Sequence, residues 1–188
     1  MSNTYNVAVI VGSLRKGSYN RMMAHAAAEV APTSLKLDII EIGALPLYNE
    51  DDDKGSPPAP WVEFRQKAKS ADALLFVTPE YNRSVPGVLK NAIDVGSRPY
   101  GQSAWSGKPA AVISVSPGAI GGFGANHHLR QSCVFLDVPV MPQPEAYIGG
   151  AAKLFDEGGK LTNDSTRDFL KKFMASFGAW VEKNAQRT

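Results

Sequence analysis

The fold is decided by the stretch Val7-Ala8-Val9-Ile10-Val11-Gly12, a continuous apolar run that ends at a glycine. Such a run is typical of a strand that is buried on both faces of a parallel sheet. Two more runs of the same kind cover residues 73–78 and 110–115. We therefore expect three central strands of one parallel sheet.

The segments around these runs alternate between strand-like and helix-like patterns. An alternating stretch at 35–40 predicts a further strand, and 138–141, which contains a proline, predicts a short fifth strand at a sheet edge. This order predicts an α/β fold of three layers, in which a five-stranded parallel sheet is covered by helices on both faces. The five expected helices cover residues 22–30, 61–71, 86–94, 125–136 and 165–183.

Two segments interrupt the alternation. Residues 46–60 contain several prolines and the run Asp51-Asp52-Asp53, and we expect a loop whose clustered carboxylates are solvated. Residues 155–161, with Gly158-Gly159 at their centre, predict a small hairpin or loop. No internal repeat or linker is visible, so we expect one domain over residues 1–188.

Composition and charge exclude several classes of protein. The chain has 188 residues, of which 44% are hydrophobic and 20% charged, which is unlike a disordered chain, a collagen or a coiled coil. Twenty basic residues against 18 acidic ones give a net charge of +2. A nucleic-acid partner is not expected, because such proteins usually show a strong basic excess or a basic run.

The cysteine and histidine content argues against disulfides and metal sites. Cys133 is the one cysteine, and His25, His127 and His128 lack the spacing of a zinc site. The first residues lack the basic segment of a signal peptide, and no run approaches the ~20 apolar residues of a membrane span. We expect a cytoplasmic protein with no bound metal.

The loop after the first strand, residues 12–20, has the composition of an anion-binding turn. It leads into the first expected helix, where free amides and the helix dipole favour a phosphate. It matches neither G-x-G-x-x-G nor the nucleotide P-loop, because Ser18-Tyr19 stands where the P-loop has Lys-Ser/Thr. An ordinary turn capped by Asn20 is the alternative, but the position favours phosphate binding. Its polar and charged side chains are Ser13, Arg15, Lys16, Ser18 and Asn20.

The loops after the third and fourth strands are unusual as well. In residues 78–87, two prolines restrict the backbone, Tyr81 offers a flat amphipathic ring and Asn82 can hydrogen-bond to the edge of a heterocycle. Residues 116–124 include four glycines, which let backbone amides approach a planar ligand. Ligands of such sheets bind beyond the carboxyl ends of the strands, so we expect all three loops to border one site.

These loops resemble those of a known family, the NADPH-dependent FMN reductases of flavodoxin-like fold, and within it the bacterial quinone and chromate reductases. The resemblance covers about residues 7–147 and implies an FMN prosthetic group with NADPH or NADH as electron donor. It also implies two-electron reduction of quinones and other acceptors, including chromate and related metal oxyanions, by a dimer or tetramer with active sites at subunit interfaces. The motifs that carry it are Gly12-Ser13-x-Arg15-x-x-Ser18-x-Asn20, Pro79-Glu80-Tyr81-Asn82, and Ser84-x-Pro86-Gly87-x-Leu89-Lys90-Asn91-Ala92-Ile93-Asp94.

The resemblance implies a role for each loop. No catalytic side chain is implied, because the flavin carries the redox chemistry, and donor and acceptor would use it in turn with ping-pong kinetics. The isoalloxazine ring would lie against Pro79, Glu80, Tyr81 and Asn82, with Ser116 and Gly118 at its other edge. The flavin phosphate would be held by Ser13, Arg15, Lys16, Gly17, Ser18, Tyr19 and Asn20.

Positive side chains near such a site would attract the 2′-phosphate of NADPH and anionic acceptors such as chromate. Arg83 and Arg98 are the candidates for substrate binding. A solvated surface or a subunit interface explains either arginine equally well.

Two other functions stay open on the sequence alone. The protein could be a flavodoxin-like electron carrier without a substrate of its own, although such carriers are usually strongly acidic and this chain has a net charge of +2. It could also be a non-redox module that binds a phosphorylated nucleotide.

The remaining conspicuous side chains are expected to be structural. We expect Glu80 to make a structural hydrogen bond rather than act as a general acid, and Cys133 to be a core thiol. The stripe Phe169, Phe173 and Phe177 predicts core packing. His127 and His128 suit a surface or an interface, and the family resemblance implies a salt bridge between subunits for Arg130 and Glu145.

Overall fold

Five parallel strands form the sheet, in the order β2-β1-β3-β4-β5. The computed structural model describes residues 4–186, so residues 1–3 and 187–188 of the expected domain lie outside the described residues. This strand order is that of the flavodoxin-like fold, which confirms the expected fold class. The strands are β1 Tyr5–Val11, β2 Leu35–Ile39, β3 Ala73–Thr78, β4 Ala110–Val115 and β5 Ala146–Ile148.

Helices cover both faces of the sheet. Residues on alternate sides of β1 enter two different cores: Val9 packs with α1 and α6, and Ile10 packs with α3, α4 and α5. Phe173 and Phe177 of α6 are fully buried in the first core, as the sequence predicted. The helices are α1 Tyr19–Val30, α2 Glu50–Asp53, α3 Ala59–Lys69, α4 Gly87–Gly96, α5 Phe123–Phe135 and α6 Asp164–Asn184, with a 3-10 turn at Ala151–Lys153.

The prediction for the fifth strand was wrong. Residues 138–141 contribute only one isolated bridge, between Val140 and Ala110, and the strand lies further on, at Ala146–Ile148. Pro139 and Pro142 have no backbone donor, so a ladder cannot continue through this segment. Residues 155–161 form the expected small hairpin or loop, which is closed by an antiparallel bridge between Phe155 and Leu161.

The prediction of a loop over residues 46–60 was wrong in two places. A short helix, α2, forms after Asn49, whose side chain accepts a hydrogen bond from the Asp51 amide, and α3 starts already at Ala59. Of the three aspartates expected to be solvated, Asp53 is buried instead, with 5% of its side chain exposed. One carboxylate of this polar run, that of Asp53, is therefore structural rather than solvated.

Asp53 is held in place by a bidentate ion pair with Arg65 of α3. The two N–H···O distances are 2.7 and 2.8 Å, and Arg65 also donates through Nε to the carbonyl oxygen of Val95 at the end of α4. The hydrogen bonds from Arg65 hold the pKa of Asp53 below its ordinary value, against the opposing effect of burial. This pair ties α2, α3 and α4 together.

Replacing Asp53 with Asn is expected to destabilise the fold, because it leaves the buried Arg65 guanidinium without its counter-charge. We expect the free energy of unfolding to fall by roughly 3–5 kcal/mol at neutral pH, measured by urea denaturation. Asp52→Asn, an exposed position on the same helix, is the matched control and should change stability by less than about 0.5 kcal/mol.

The difference between wild type and Asp53→Asn should also depend on pH. A carboxylate whose pKa is lowered in the folded state contributes its full stability above its unfolded pKa of about 3.9. That contribution is lost as the pH falls through the lower folded-state pKa, so the two proteins should converge in stability below about pH 3.9. A stability difference that stays constant into that acid range would contradict this origin of the effect.

Candidate active site

The loops after β1, β3 and β4 meet at one edge of the sheet. Strand β1 lies between β2 and β3. After β1 the chain forms β2 on one side of β1, and it then crosses over to form β3 on the other side. This reversal of strand order opens a crevice at the carboxyl ends of β1 and β3, where ligands of doubly wound sheets bind. The fold therefore places the three loops at the edge of the sheet where the sequence predicts a ligand.

The first loop leads directly into α1, whose cap is Ser18 rather than Asn20. The Ser18 side chain accepts a hydrogen bond from the Arg21 amide at 3.3 Å, and the helix starts at Tyr19, earlier than predicted. Ser13 and Ser18 are buried, whereas Arg15 and Lys16 are exposed. Two hydroxyl groups thus lie within the fold at a helix N-terminus, with positive charge outside them.

Asn20 carries an unpaired polar atom. The residue is 4% exposed, its Nδ2 makes only a long contact of 3.4 Å to the Val115 carbonyl oxygen, and its Oδ1 has no hydrogen-bond partner. Within residues 4–186, Oδ1 is the one buried side-chain polar atom without a partner. A buried group in this state costs free energy unless a ligand satisfies it, and the amide can present either its oxygen or its NH₂ to one. This atom fits a polar ligand in the loop.

The second loop forms a tight hydrogen-bonded turn. Tyr81 and Ser84 exchange both backbone hydrogen bonds, at 3.1 and 2.9 Å, and the two residues between them have positive φ, 49° at Asn82 and 63° at Arg83. Positive φ at both central positions defines a type I′ turn, which favours Asn followed by Gly. Arginine at the second position is strained, and 76% of its side chain is exposed.

Glu80 links this turn to the loop after β4. Its Oε2 accepts a hydrogen bond from the Ala125 amide at 3.1 Å, and its Oε1 lies 3.8 Å from Arg83 Nη1. This hydrogen bond confirms the structural role predicted for Glu80.

The third loop needs glycine for steric reasons. Gly121 has a φ of 66°, and a Cβ there would lie 2.6 Å from the Tyr147 carbonyl carbon of β5. Ser116 folds back on the loop, where its Oγ accepts from the Gly118 amide at 3.1 Å. The loop is therefore pressed against the end of the sheet, while the side chains of Ile120 and Phe123 are exposed.

The structure brings Arg83 to this edge but not Arg98. Arg98 follows α4, whose ten residues run about 15 Å away from the loop that precedes the helix. It lies in a groove of about 490 Å³ between α4 and α5, which has Ser84 and His128 at its other end.

Several polar contacts near the site were not foreseen. Tyr147 lies 3.0 Å from His127, and burial, together with a hydrogen bond to Glu145, raises the pKa of Tyr147 to about 12. Arg130 donates within its own chain, to Asn126 Oδ1 and to the Met141 carbonyl oxygen. The contacts to Tyr147 and Met141 join α5 to a segment beyond the helix, and nothing in the sequence pattern signals them. Arg130 and Asn126, in contrast, are four residues apart on α5, a spacing that places them on one face of the helix.

The remaining features concern the cysteine, metal-binding clusters and membrane-spanning helices. Cys133 is buried, and burial raises the pKa of its thiol to about 12, so it is the core thiol that the sequence predicted. Within the described chain no three His, Cys, Asp or Glu side chains cluster closely enough to hold a metal ion. None of the helices formed by residues 4–186 has the length and apolar character needed to cross a membrane.

Comparison with known proteins agrees with this arrangement. The chain is 68% identical over 184 residues to a quinone reductase from Pseudomonas putida, with 98% of each chain covered. It is 50% identical over 175 residues to a 2-hydroxy-1,4-benzoquinone reductase from a Burkholderia species, with 93% and 95% covered. Among solved structures it is similar to FerB, a flavoenzyme NAD(P)H:(acceptor) oxidoreductase from Paracoccus denitrificans, with a TM-score of 0.91 and 41% identity over 97% of this chain and all of the other.

A family model is matched as well. Residues 5–153, which include all five strands and the three loops at the sheet edge, match the model described as NADPH-dependent FMN reductase. The chain belongs to the NADPH-dependent FMN reductase family.

Proposed function

We propose that this protein is an FMN-dependent NAD(P)H:quinone oxidoreductase, formed by a single flavin-binding domain over residues 1–188. The observation that carries the proposal is the convergence, at the switch point of the sheet, of an anion-binding loop and two loops fixed by hydrogen bonds and close packing. Family membership makes FMN the cofactor and NAD(P)H the electron donor. The similarity to quinone reductases supports quinones as the acceptors.

The first loop fits the FMN phosphate and the adjoining ribityl chain. Two buried hydroxyls, the unpaired Asn20 amide and the dipole of α1 supply hydrogen bonds and positive potential. The residues that would hold this part of FMN are Ser13, Arg15, Lys16, Gly17, Ser18, Tyr19 and Asn20.

The other two loops would hold the ring. Tyr81 is half exposed beside the I′ turn, and the exposed Gly118 lies in the loop after β4, where the Ser116 side chain holds its amide. The residues that would line the ring are Pro79, Glu80, Tyr81, Asn82, Ser116 and Gly118. FMN, when bound there, accepts a hydride from NAD(P)H and passes two electrons to an acceptor.

The side chains then bind and orient the two substrates rather than react. The exposed Arg83 guanidinium would attract the 2′-phosphate of NADPH and anionic acceptors, including chromate and related metal oxyanions. Donor and acceptor would occupy the same open side in turn, which gives ping-pong kinetics. Arg98 lies beyond the far end of α4, and its part in substrate binding stays a prediction. A cytoplasmic location would suit the use of NAD(P)H.

The first experiment is anaerobic addition of NADPH to the FMN-loaded protein, followed by a quinone. We expect NADPH to bleach the visible flavin bands and benzoquinone to restore them, with chromate tested next in the same cuvette. Bands that NADPH leaves untouched would favour the electron carrier instead. A protein that takes up no FMN would contradict the proposed function altogether.

Asn20→Leu tests the phosphate loop. The substitution removes the buried unpaired oxygen while keeping the side chain close in size, so the flavin-free protein should be as stable as the wild type or more so. FMN, in contrast, should bind roughly ten- to a hundredfold more weakly, as expected for a lost hydrogen bond to a charged group.

Quenching of FMN fluorescence and urea denaturation measure the two effects. Asn184→Leu, near the end of α6, is the matched control and should leave FMN affinity unchanged. Unchanged FMN affinity in Asn20→Leu would remove Asn20 from the site.

The groove between α4 and α5 supports a homo-oligomer, either a dimer or a tetramer. Phe135 lines the groove with 76% of its surface exposed, and Tyr100, beyond Arg98, is 84% exposed. Tyr100 lines the adjoining cavity, which shares Arg98 with the groove. Large exposed apolar side chains are typical of a protein interface, and a second copy of this chain is the occupant that we propose.

Phe135→Asp should therefore lower the molecular mass measured by sedimentation at micromolar concentration. The matched control Ala175→Asp adds the same charge on the exposed side of α6, across the sheet, and should leave the mass unchanged. An unchanged mass in Phe135→Asp would contradict this interface.

A further inference from the structure

Helix α5 has no capping side chain of its own. Its N-cap is Gly122, with a φ of 76°, and the following residues, Phe123 and Gly124, carry no group that could accept a hydrogen bond. The first amides of a helix lack partners within the helix and are usually served by a Ser, Thr, Asp or Asn at the N-cap. In α5 that partner has to come from elsewhere.

Glu80 supplies it from the loop after β3. Its Oε2 lies 3.1 Å from the amide of Ala125, which is the third residue of α5 and the amide that an N-cap side chain normally serves. Only 14% of the Glu80 side chain is exposed, so the interaction is largely shielded from solvent. The negative charge also faces the positive end of the helix dipole.

Two further contacts hold the same turn against α5. Ser84 Oγ and His128 Nδ1 are hydrogen-bonded at 2.9 Å. A Cβ on Gly124 would lie 2.7 Å from the Arg83 carbonyl oxygen, so the backbone of the turn lies directly on the first turn of the helix. These contacts join the turn to the start of α5, although the two segments are some forty residues apart along the chain.

The ion pair with Arg83 contributes much less. Its atoms are 3.8 Å apart and the Arg83 side chain is 76% exposed, and exposed pairs of this kind usually contribute little to stability. The hydrogen bond to α5 is thus the main interaction of the Glu80 carboxylate.

We propose that Glu80 is a positioning residue, which caps α5 from the β3 loop and thereby sets the spacing of the two loops that hold the flavin ring. The location of the ring rests on the proposed function. Without the cap, the Tyr81–Ser84 turn and the 116–122 loop lose one of the contacts that anchor them to each other, and FMN has to order them when it binds. The free energy needed to order the loops would then weaken FMN binding rather than destabilise the core.

Amide hydrogen exchange in the flavin-free protein tests the cap directly. Glu80→Ala should speed exchange in the first turn of α5, because the Ala125 amide loses its acceptor. Glu80→Gln retains an acceptor oxygen and should exchange at close to the wild-type rate. Unchanged exchange in Glu80→Ala would overturn the cap.

FMN affinity, measured by fluorescence quenching, tests the positioning role. Glu80→Ala should weaken FMN roughly three- to thirtyfold, the range that loss of a helix cap gives. Gly124→Ala should weaken it too, because the added methyl would lie 2.7 Å from the Arg83 carbonyl oxygen and 3.0 Å from Glu80 Oε2 and would displace the turn. Arg83→Ala should keep FMN affinity within about twofold, and raise the KM for NADPH.

Two controls separate positioning from general damage. Asp53→Asn lowers the stability of the fold outside these loops and should keep wild-type FMN affinity. Glu63→Ala removes an exposed glutamate of α3 and should change neither amide exchange in α5 nor FMN affinity. If the wild type binds FMN and Glu80→Ala binds it equally well, the role of Glu80 is overturned while the proposed function stands. If the wild type itself binds no FMN, the proposed function fails as well.

Discussion

Parallel pairing of β1, β3 and β4 is the constraint on which the site depends. Val11 pairs with Val77 and Thr78 with Ser114, so the three strands end almost level with one another. Their loops consequently begin side by side at one edge, although they are separated by more than a hundred residues along the chain. Burial of these strands on both faces makes the register costly to change, because a slip by one residue would exchange the side chains between the two cores.

The parts of the fold that the sequence predicts best are those with one dominant signal. β3 and β4 have the predicted bounds because their residues are apolar throughout, whereas β5 was misplaced because prolines and a short length leave little periodic signal. The loops of the site were predicted from composition and family resemblance. The burial of Asp53 and the location of Arg98 in the groove between α4 and α5 were not predicted, because both depend on how the helices pack.

The site concentrates features that are unfavourable for folding alone. A buried amide oxygen lacks a partner at Asn20, and two successive non-glycine residues, Asn82 and Arg83, adopt left-handed backbone. Each such feature costs on the order of 1–3 kcal/mol and persists only where the surroundings enforce it. For the turn that contains Asn82 and Arg83, the enforcement comes from α5, through Glu80 and His128, so this strain lies in a loop and not in the strands that carry it.

The shortness of β5 has a consequence for the solubility of the chain. An open sheet exposes unpaired N–H and C=O groups at its edges, and long flat edges recruit further strands from other molecules. Here one edge strand has only three residues and is preceded by Pro142 and Pro144, which cannot donate. Uncontrolled growth by strand addition is therefore disfavoured on that side of the sheet.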